Sequence, residues 1–310
     1  MLALIAGQGQ LPARIALAAK GPVRVCALEG FTPAHLEVDE RFRLERLGSF
    51  IHGLKQRGVS EVCMAGAVRR PALDPQQIDE ATLPLVPRIK GAVLQGDDAA
   101  LREIIAIFEE AGLVVRAAHE IAPALLPGSG VLTKAGPGAR DVSDAARAEE
   151  IVDAMGAADV GQACVVGSGQ ALAVEAIGGT DWMLRSLLRT PEEAKRREDE
   201  VLKGASLMDQ ARDWLGDFAD FFAPKDGSRL PERDPALPPG GLLYKAPKPG
   251  QDRRADLPVI GPETVMRAAE AGLTGIVVEA GGVMVIDVDT CVAMADAVGM
   301  FIWIRPKARA

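Results

Sequence analysis

Residues 245 to 258, KAPKPGQDRRADLP, gather four cationic side chains, two aspartates, one glutamine and three prolines into fourteen positions of a chain whose formal charge is −8. Cations hold phosphate oxygens, and carboxylates hold a hard divalent cation or activate water. A phosphoryl-transfer or pyrophosphate-cleaving site needs both kinds of group. Lys245 and Lys248 stand at i and i+3, Asp252 and Asp256 at i and i+4, with Gln251 and Arg254 interleaved. The prolines restrict the backbone, so these heads are held in place more firmly than in a glycine-rich loop. On residue chemistry alone, a solvated, salt-bridged loop is the other account of the segment.

Further polar positions fall where an α/β chain collects ligands. GQGQLP at 7 to 12 follows an aliphatic run and precedes a helical pattern. Its Gln8, Gly9 and Gln10 therefore occupy a strand-to-helix turn of the kind that brings backbone amides to a phosphate. The third glycine of a dinucleotide fingerprint is replaced by Pro12, which argues against a NAD-linked enzyme and leaves a general anion site. MAGAVRRP at 64 to 71 ends another strand with Gly66 and two arginines, and Arg69 or Arg70 there can fork onto a phosphate. DVGQA at 159 to 163 and GGTD at 178 to 181 bracket a hairpin pattern and place Asp159, Gln162, Thr180 and Asp181 along one polar rim. LAVEAIGG and IVVEAGG each set one glutamate, Glu175 or Glu279, late in an aliphatic run before paired glycines. A carboxylate in such surroundings needs a partner or a ligand.

The elements that must position these residues follow from periodicity. LALIA, VRVCALEG, VSEVCMAGAV and LVVRAA read as strands. LPARIALAAK, LGSFIHGLKQRG and DDAALREIIAIFEEAG read as the helices between them, an alternation that implies a parallel sheet with covering helices. Gly and Pro crowd together over 125 to 144, so the chain divides near Lys134 into a Rossmann-like N-terminal α/β domain, 1–133, and a C-terminal α/β domain with a mixed sheet, 134–310, joined by a Gly/Pro-rich linker. In the second, AARAEEIVDAMGAA reads as a helix, ACVVGSGQALAVEA as a hairpin turning at Ser168 and Gly169, and TGIVVEAGGVMVID as a further strand-rich piece. Residues 190 to 223 read as one long helix opened by a TPEE capping box. Its Trp214, Phe218, Phe221 and Phe222 form an apolar stripe for the protein body, a second subunit, or an acyl or membrane surface. A Pro-rich excursion follows to about residue 240.

Composition excludes several classes. An acidic chain does not coat nucleic acid, which is bound by phosphate neutralisation. Cys26, Cys63, Cys164 and Cys291 lie in apolar surroundings without a C-x-x-C and read as core thiols, and His35, His52 and His119 fall in no metal-binding pattern and read as packed or surface side chains. No window reaches the ~20 apolar residues of a membrane span, and the start of the chain lacks a secretion signal, so a cytoplasmic protein is expected.

Seven blocks, in order and with approximate spacing, resemble the LpxI-type UDP-2,3-diacylglucosamine pyrophosphatases of bacterial lipid A biosynthesis: IAGQGQLP, GSFIHGLKQRGVSEVCMAGAVRRP, GDDAALREI, DVGQACVV, LAVEAIGGTD, LYKAPKPGQDRRADLPVIGPETV and AGLTGIVVEAGG. The resemblance covers residues 1 to 185 and 241 to 300. It implies a two-domain, Mg²⁺-dependent hydrolase that cleaves the diphosphate of UDP-2,3-diacylglucosamine to UMP and 2,3-diacylglucosamine 1-phosphate, with water attacking the sugar-side phosphorus. The family's essential aspartate falls on Asp252. Lys245, Lys248, Gln251 and Arg254 are implied to neutralise or orient the diphosphate, with Asp256 a second carboxylate. Mg²⁺ is expected on the diphosphate with one or more of Asp252, Asp256 and Asp181, and Asp252 is either a metal ligand or the general base. Gln8, Gly9, Gln10, Gly66, Arg69, Gln162, Thr180 and Asp181 complete the implied substrate contacts. A lipid substrate implies loose, peripheral contact with the inner-membrane surface and leaves room for a homo-oligomer. Residues 186 to 240 depart from the resemblance, where a shorter connection is expected. A non-catalytic nucleotide-sugar or lipid-binding protein is the rival class; carboxylates set beside an anionic ligand argue against it.

Overall fold

A computed structural model describes residues 1–68, 73–189 and 232–307. The helix and aromatic stripe expected over 190 to 223 lie outside the described residues, as does Arg69. The described chain forms two compact units, Met1–Leu126 with Gly250–Leu257, and Pro127–Pro249 with Pro258–Ala310.

The first unit is built on β1 (Leu2–Ala6), α1 (Leu11–Ala18), β2 (Val23–Leu28), β3 (Glu40–Phe42), α2 (Leu47–Gln56), β4 (Glu61–Ala65), α3 (Val86–Val93), α4 (Asp97–Glu110), β5 (Val114–Val115) and α5 (Ala118–Ile121). The aliphatic run of β1 is buried because it lies in the middle of the sheet, whose order is β3-β2-β1-β4-β5 with every pairing parallel. This is the Rossmann-like parallel sheet expected from the alternating pattern. Helices α2 and α4 contribute Leu47, Phe50, Leu54, Ile105 and Phe108 to the cluster that covers it. The chain runs outward from β1 through β2 to β3, then returns to β4 on the other side. The strand order therefore reverses between β1 and β4, where an open parallel sheet leaves a crevice at its carboxyl edge.

Strand β3, ERF, has no apolar alternation and is not readable from periodicity. It is held by pairing with β2 and by the Arg24–Glu40 ion pair at 3.0 Å. Beyond it Glu45, 4% exposed, accepts hydrogen bonds from Arg43 Nη2 and from the Asp74 backbone N–H, both at 2.8 Å, and so ties down the chain that follows the β4 loop. Burial alone would raise the Glu45 carboxyl, but these donors outweigh it and hold it at about 2, against an ordinary 4.5. A depressed folded-state value means stabilisation that is fully present above about pH 4.5 and is lost as the pH falls toward 2. Acid titrations of unfolding, followed by circular dichroism, are expected to show Glu45→Gln with a shallower loss than the parent in that window. Superimposable curves would refute the assignment.

The second unit carries β6 (Gly130–Val131), α6 (Ala139–Ala157), β7 (Ala163–Gly167), β8 (Gln170–Val174), α7 (Gly179–Arg185), β9 (Leu242–Lys245), β10 (Val259–Ile260), α8 (Pro262–Glu270), β11 (Gly275–Glu279), β12 (Met284–Val285), α9 (Val288–Ala297) and β13 (Phe301–Arg305). Its six-stranded sheet, β6-β13-β11-β9-β7-β8, is mixed. The β9, β11 and β13 strands run parallel, while β6, β7 and β8 join by antiparallel pairing. On one face α6 packs Ala145, Ala148 and Val152 against Val166, Leu242 and Tyr244. On the other, α7, α8 and α9 bring Met183, Val265 and Cys291 onto Val165, Leu243 and Ile276. Ser168 and Gly169 turn the β7–β8 hairpin with φ of +53° and +78°, as the two-residue signal predicts, and the buried Asp144 carboxylate accepts both of their N–H groups at 3.0 and 2.7 Å.

The units divide at Leu126/Pro127, ahead of the Lys134 expected from Gly and Pro content. The reason is that part of that stretch is structured: β6 pairs with β13, and Leu132 N–H donates to the Ile302 carbonyl at 2.9 Å. The first unit also includes residues 250–257, a return of the chain that composition does not reveal. All four cysteines are free and buried, as their apolar settings predict, and burial pushes each thiol up to about 12.

Candidate active site

In the first unit, the carboxyl ends of β1 and β4 are clamped together. Gly7 N–H donates to Ala65 O at 2.8 Å, Gln8 N–H to Ala67 O at 2.9 Å and Ala67 N–H to Gln8 O at 2.9 Å. Gly66 takes φ +93°, and a Cβ on it would stand 2.8 Å from Gln8 O, so the two backbones approach as only glycine allows. Gln8, Gly9 and Gln10 are exposed on this platform, at the reversal point of the sheet.

The return segment supplies the carboxylate chemistry of the same unit. Arg254 Nε donates to Asp252 Oδ1 at 3.0 Å and Nη2 to Oδ2 at 2.7 Å, a two-pronged pairing, and the Arg254 backbone N–H adds a third bond to Oδ1 at 3.0 Å. Arg254 Nη1 reaches Glu109 on α4 at 2.6 Å, while Ala255 packs against the apolar cluster of the sheet. The Arg254 guanidinium holds the Asp252 carboxyl below its ordinary range against the opposing effect of burial, with Arg102 of α4 a further cation acting on it. Asp252 is therefore an ionised, oriented acceptor, and Arg254 is its clamp. Gln251 Nε2 donates to Asp256 Oδ2 at 2.5 Å, which fixes the second carboxylate. The neighbouring Arg253 is exposed, and burial together with that guanidinium lowers the His119 imidazole of α5. Residue types alone gave no reason to single out Glu109, Arg102 or His119; only their places on α4 and α5 bring them to the segment.

In the second unit, Lys245 ends β9 with 7% exposure, and its Nζ donates to Thr180 Oγ1 at 2.8 Å and to the Val259 carbonyl at 3.2 Å. The Thr180 hydroxyl in turn donates to Glu175 Oε1 at 2.6 Å, and Glu175 Oε2 accepts the Gln162 N–H at 3.0 Å. The Gln162 side-chain Oε1 is buried without a hydrogen-bond partner among the described residues, a position that suits a donor on a ligand. Lys248 Nζ meets Asp159 Oδ1 at 2.7 Å, and Asp181 is exposed on α7. The proline-stiffened backbone between the two lysines is seated on glycines. A Cβ on Gly156 would stand 2.6 Å from Pro249 Cδ, and one on Gly282 would stand 2.7 Å from Pro247 Cδ. Gln162, Thr180, Lys245 and Lys248 thus belong to one unit, while Gln8, Gly9, Gln10, Gly66, Gln251, Asp252, Arg254 and Asp256 belong to the other. The divide falls within the single run KAPKPGQDRRADLP, between Pro249 and Gly250.

Among the described residues, no group of three or more His, Cys, Asp or Glu side chains is placed to hold a metal ion. Asp252 and Asp256 offer hard oxygen donors, the ligand type that Mg²⁺ takes one or two at a time alongside phosphate and water.

Comparison with known proteins adds family evidence. Residues 1–125 match the LpxI N-terminal domain, and residues 128–212 and 229–303 match the LpxI C-terminal domain. The chain is 34% identical over 306 residues to the UDP-2,3-diacylglucosamine pyrophosphatase LpxI of Caulobacter vibrioides, an alignment that spans 97% of this chain and 96% of that one. With both family domains matched in order and nearly the whole length aligned, the chain belongs to the LpxI family.

Proposed function

We propose that this protein hydrolyses the diphosphate of UDP-2,3-diacylglucosamine, releasing UMP and 2,3-diacylglucosamine 1-phosphate for lipid A synthesis. The substrate follows from the Caulobacter relative. The observation that carries the chemistry is the clamped carboxylate of Asp252, held ionised by Arg254. In the reaction, water oxygen attacks the sugar-side phosphorus in line with the bridging oxygen, Asp252 takes the water proton, and the bond from that phosphorus to the bridging oxygen breaks as UMP departs. Lys245 and Lys248 offset the charge that develops on the phosphoryl oxygens. The amides of the Gln8–Gln10 turn, Gly66 and Arg69 bind the nucleotide side. Gln162, Thr180 and Asp181 bind the sugar side, where the buried Gln162 oxygen takes an N–H or O–H donor. Asp252 and Asp256 would hold Mg²⁺, whose Lewis acidity would then act on the phosphoryl oxygens.

A diacylated substrate resides in a bilayer, and among the described residues no helix is long and apolar enough to cross a membrane. We infer that the enzyme works in the cytoplasm with loose, peripheral contact to the inner membrane that holds its diacylated substrate, where a homo-oligomer would multiply that contact. The test is incubation of the purified full chain with UDP-2,3-diacylglucosamine and Mg²⁺ in ¹⁸O-water. UMP release is expected, with label in the sugar phosphate. Label in UMP would overturn the direction of attack, and tight binding without UMP release would favour the non-catalytic nucleotide-sugar binder.

A further inference from the structure

Gln162, Thr180 and, through Thr180, the Lys245 cation converge on a carboxylate that is itself almost closed to ligand. Glu175, 7% exposed, follows β8. Gln162 precedes β7, Thr180 lies on α7 and Lys245 ends β9. The Thr180 hydroxyl has one proton, and it is directed to Glu175 Oε1 at 2.6 Å, so its lone pairs must face Lys245 Nζ at 2.8 Å. The other carboxylate oxygen fixes the Gln162 backbone N–H at 3.0 Å. Gly161 brings the hairpin this close: a Cβ there would stand 2.3 Å from the Glu175 carbonyl oxygen. Glu279, the glutamate of the matching sequence pattern, sits elsewhere in the fold. It ends a strand inside the sheet, and its Oε1 lies over Gly282 beside Pro247. The two glutamates share a sequence pattern and occupy different structural positions.

We propose that Glu175 is a positioning residue: through the Thr180 hydroxyl it sets the direction and location of the Lys245 ammonium, and through the Gln162 N–H it sets the start of β7. This role rests on the hydrolase reading above. Glu175 does not touch substrate. It turns a hydroxyl, which could point either way, into a fixed acceptor for Lys245, and a cation displaced by about 1 Å can cost on the order of 10²-fold in rate.

The test uses the full chain, with kcat and KM from UMP release and melting temperature as the control for folding. Glu175→Gln is expected to lower kcat by about 10- to 100-fold with KM changed less than about threefold, because the loss is felt in the transition state. Thr180→Val is expected to fall comparably, and Thr180→Ser to recover most of that loss by restoring the hydroxyl. The Glu175→Gln/Thr180→Val double variant should be no worse than the weaker single by more than about threefold, since both cut one connection. If Glu175→Gln does not fold, the Val and Ser pair at Thr180 decides. An active parent with a full-speed Glu175→Gln, with strictly additive losses, or with no Ser recovery overturns the positioning role alone. A parent that releases no UMP overturns the hydrolase reading and this role with it.

Discussion

Asp252→Asn is expected to lower the rate of UMP release by about 10²- to 10⁴-fold, the range that a positioned general acid or base contributes. The carboxylate is held ionised by Arg254 through two side-chain bonds and one backbone bond, and Arg254 is anchored in turn to Glu109. The asparagine keeps the shape and removes the charge and the basicity, so the loss reports chemistry and not packing. Stability should change little, by about 1 kcal/mol at most, because the Arg254 side chain is 39% exposed and exposed pairs contribute little. The measurements are kcat from UMP release and a melting curve on the same preparations. A folded Asp252→Asn enzyme within about fivefold of the parent would remove Asp252 from the mechanism.

Gly66→Ala carries the largest expected structural effect. At φ +93° an alanine is strained, and its Cβ would stand 2.8 Å from Gln8 O and Gly7 C, atoms of a backbone that is itself hydrogen-bonded to this loop. Strain of this kind costs about 1–3 kcal/mol, and forced overpacking adds about 1–3 kcal/mol. The first unit should therefore unfold at clearly lower denaturant concentration, and the enzyme should lose affinity for the nucleotide part of the substrate. Gly91→Ala on α3 is the control, since no described residue stands within 4 Å of a Cβ there, and it should leave stability unchanged or slightly higher. Equal stability and turnover in the two variants would show that the β1–β4 approach is not a rigid platform.

The fold was legible where burial repeats locally. The aliphatic runs of β1, β2 and β4, the glycine turn after β1 and the hairpin at Ser168 and Gly169 all carry their own signals of period and turn chemistry. Strand β3 was not legible, because a polar ERF strand exists only through its neighbour β2. Short stretches such as β6 look like linker in sequence for the same reason: their hydrogen bonds are made to strands more than a hundred residues away.

The sequence by itself determined the chemistry available: which cations, carboxylates and amides exist, that prolines stiffen the segment that carries most of them, and, through the order of its blocks, the family. Tertiary structure alone decided how those groups are apportioned. Within one fourteen-residue run, Lys245 and Lys248 fold with the second unit and Asp252 and Arg254 with the first. Glu175 meets Lys245 through Thr180 across a separation of seventy residues in sequence. The physical reason is that periodicity and turn chemistry act over a few residues, whereas the partner of a buried charge is set by which elements pack together. A carboxylate in an aliphatic run shows that a partner must exist, and only the packed sheet supplies it.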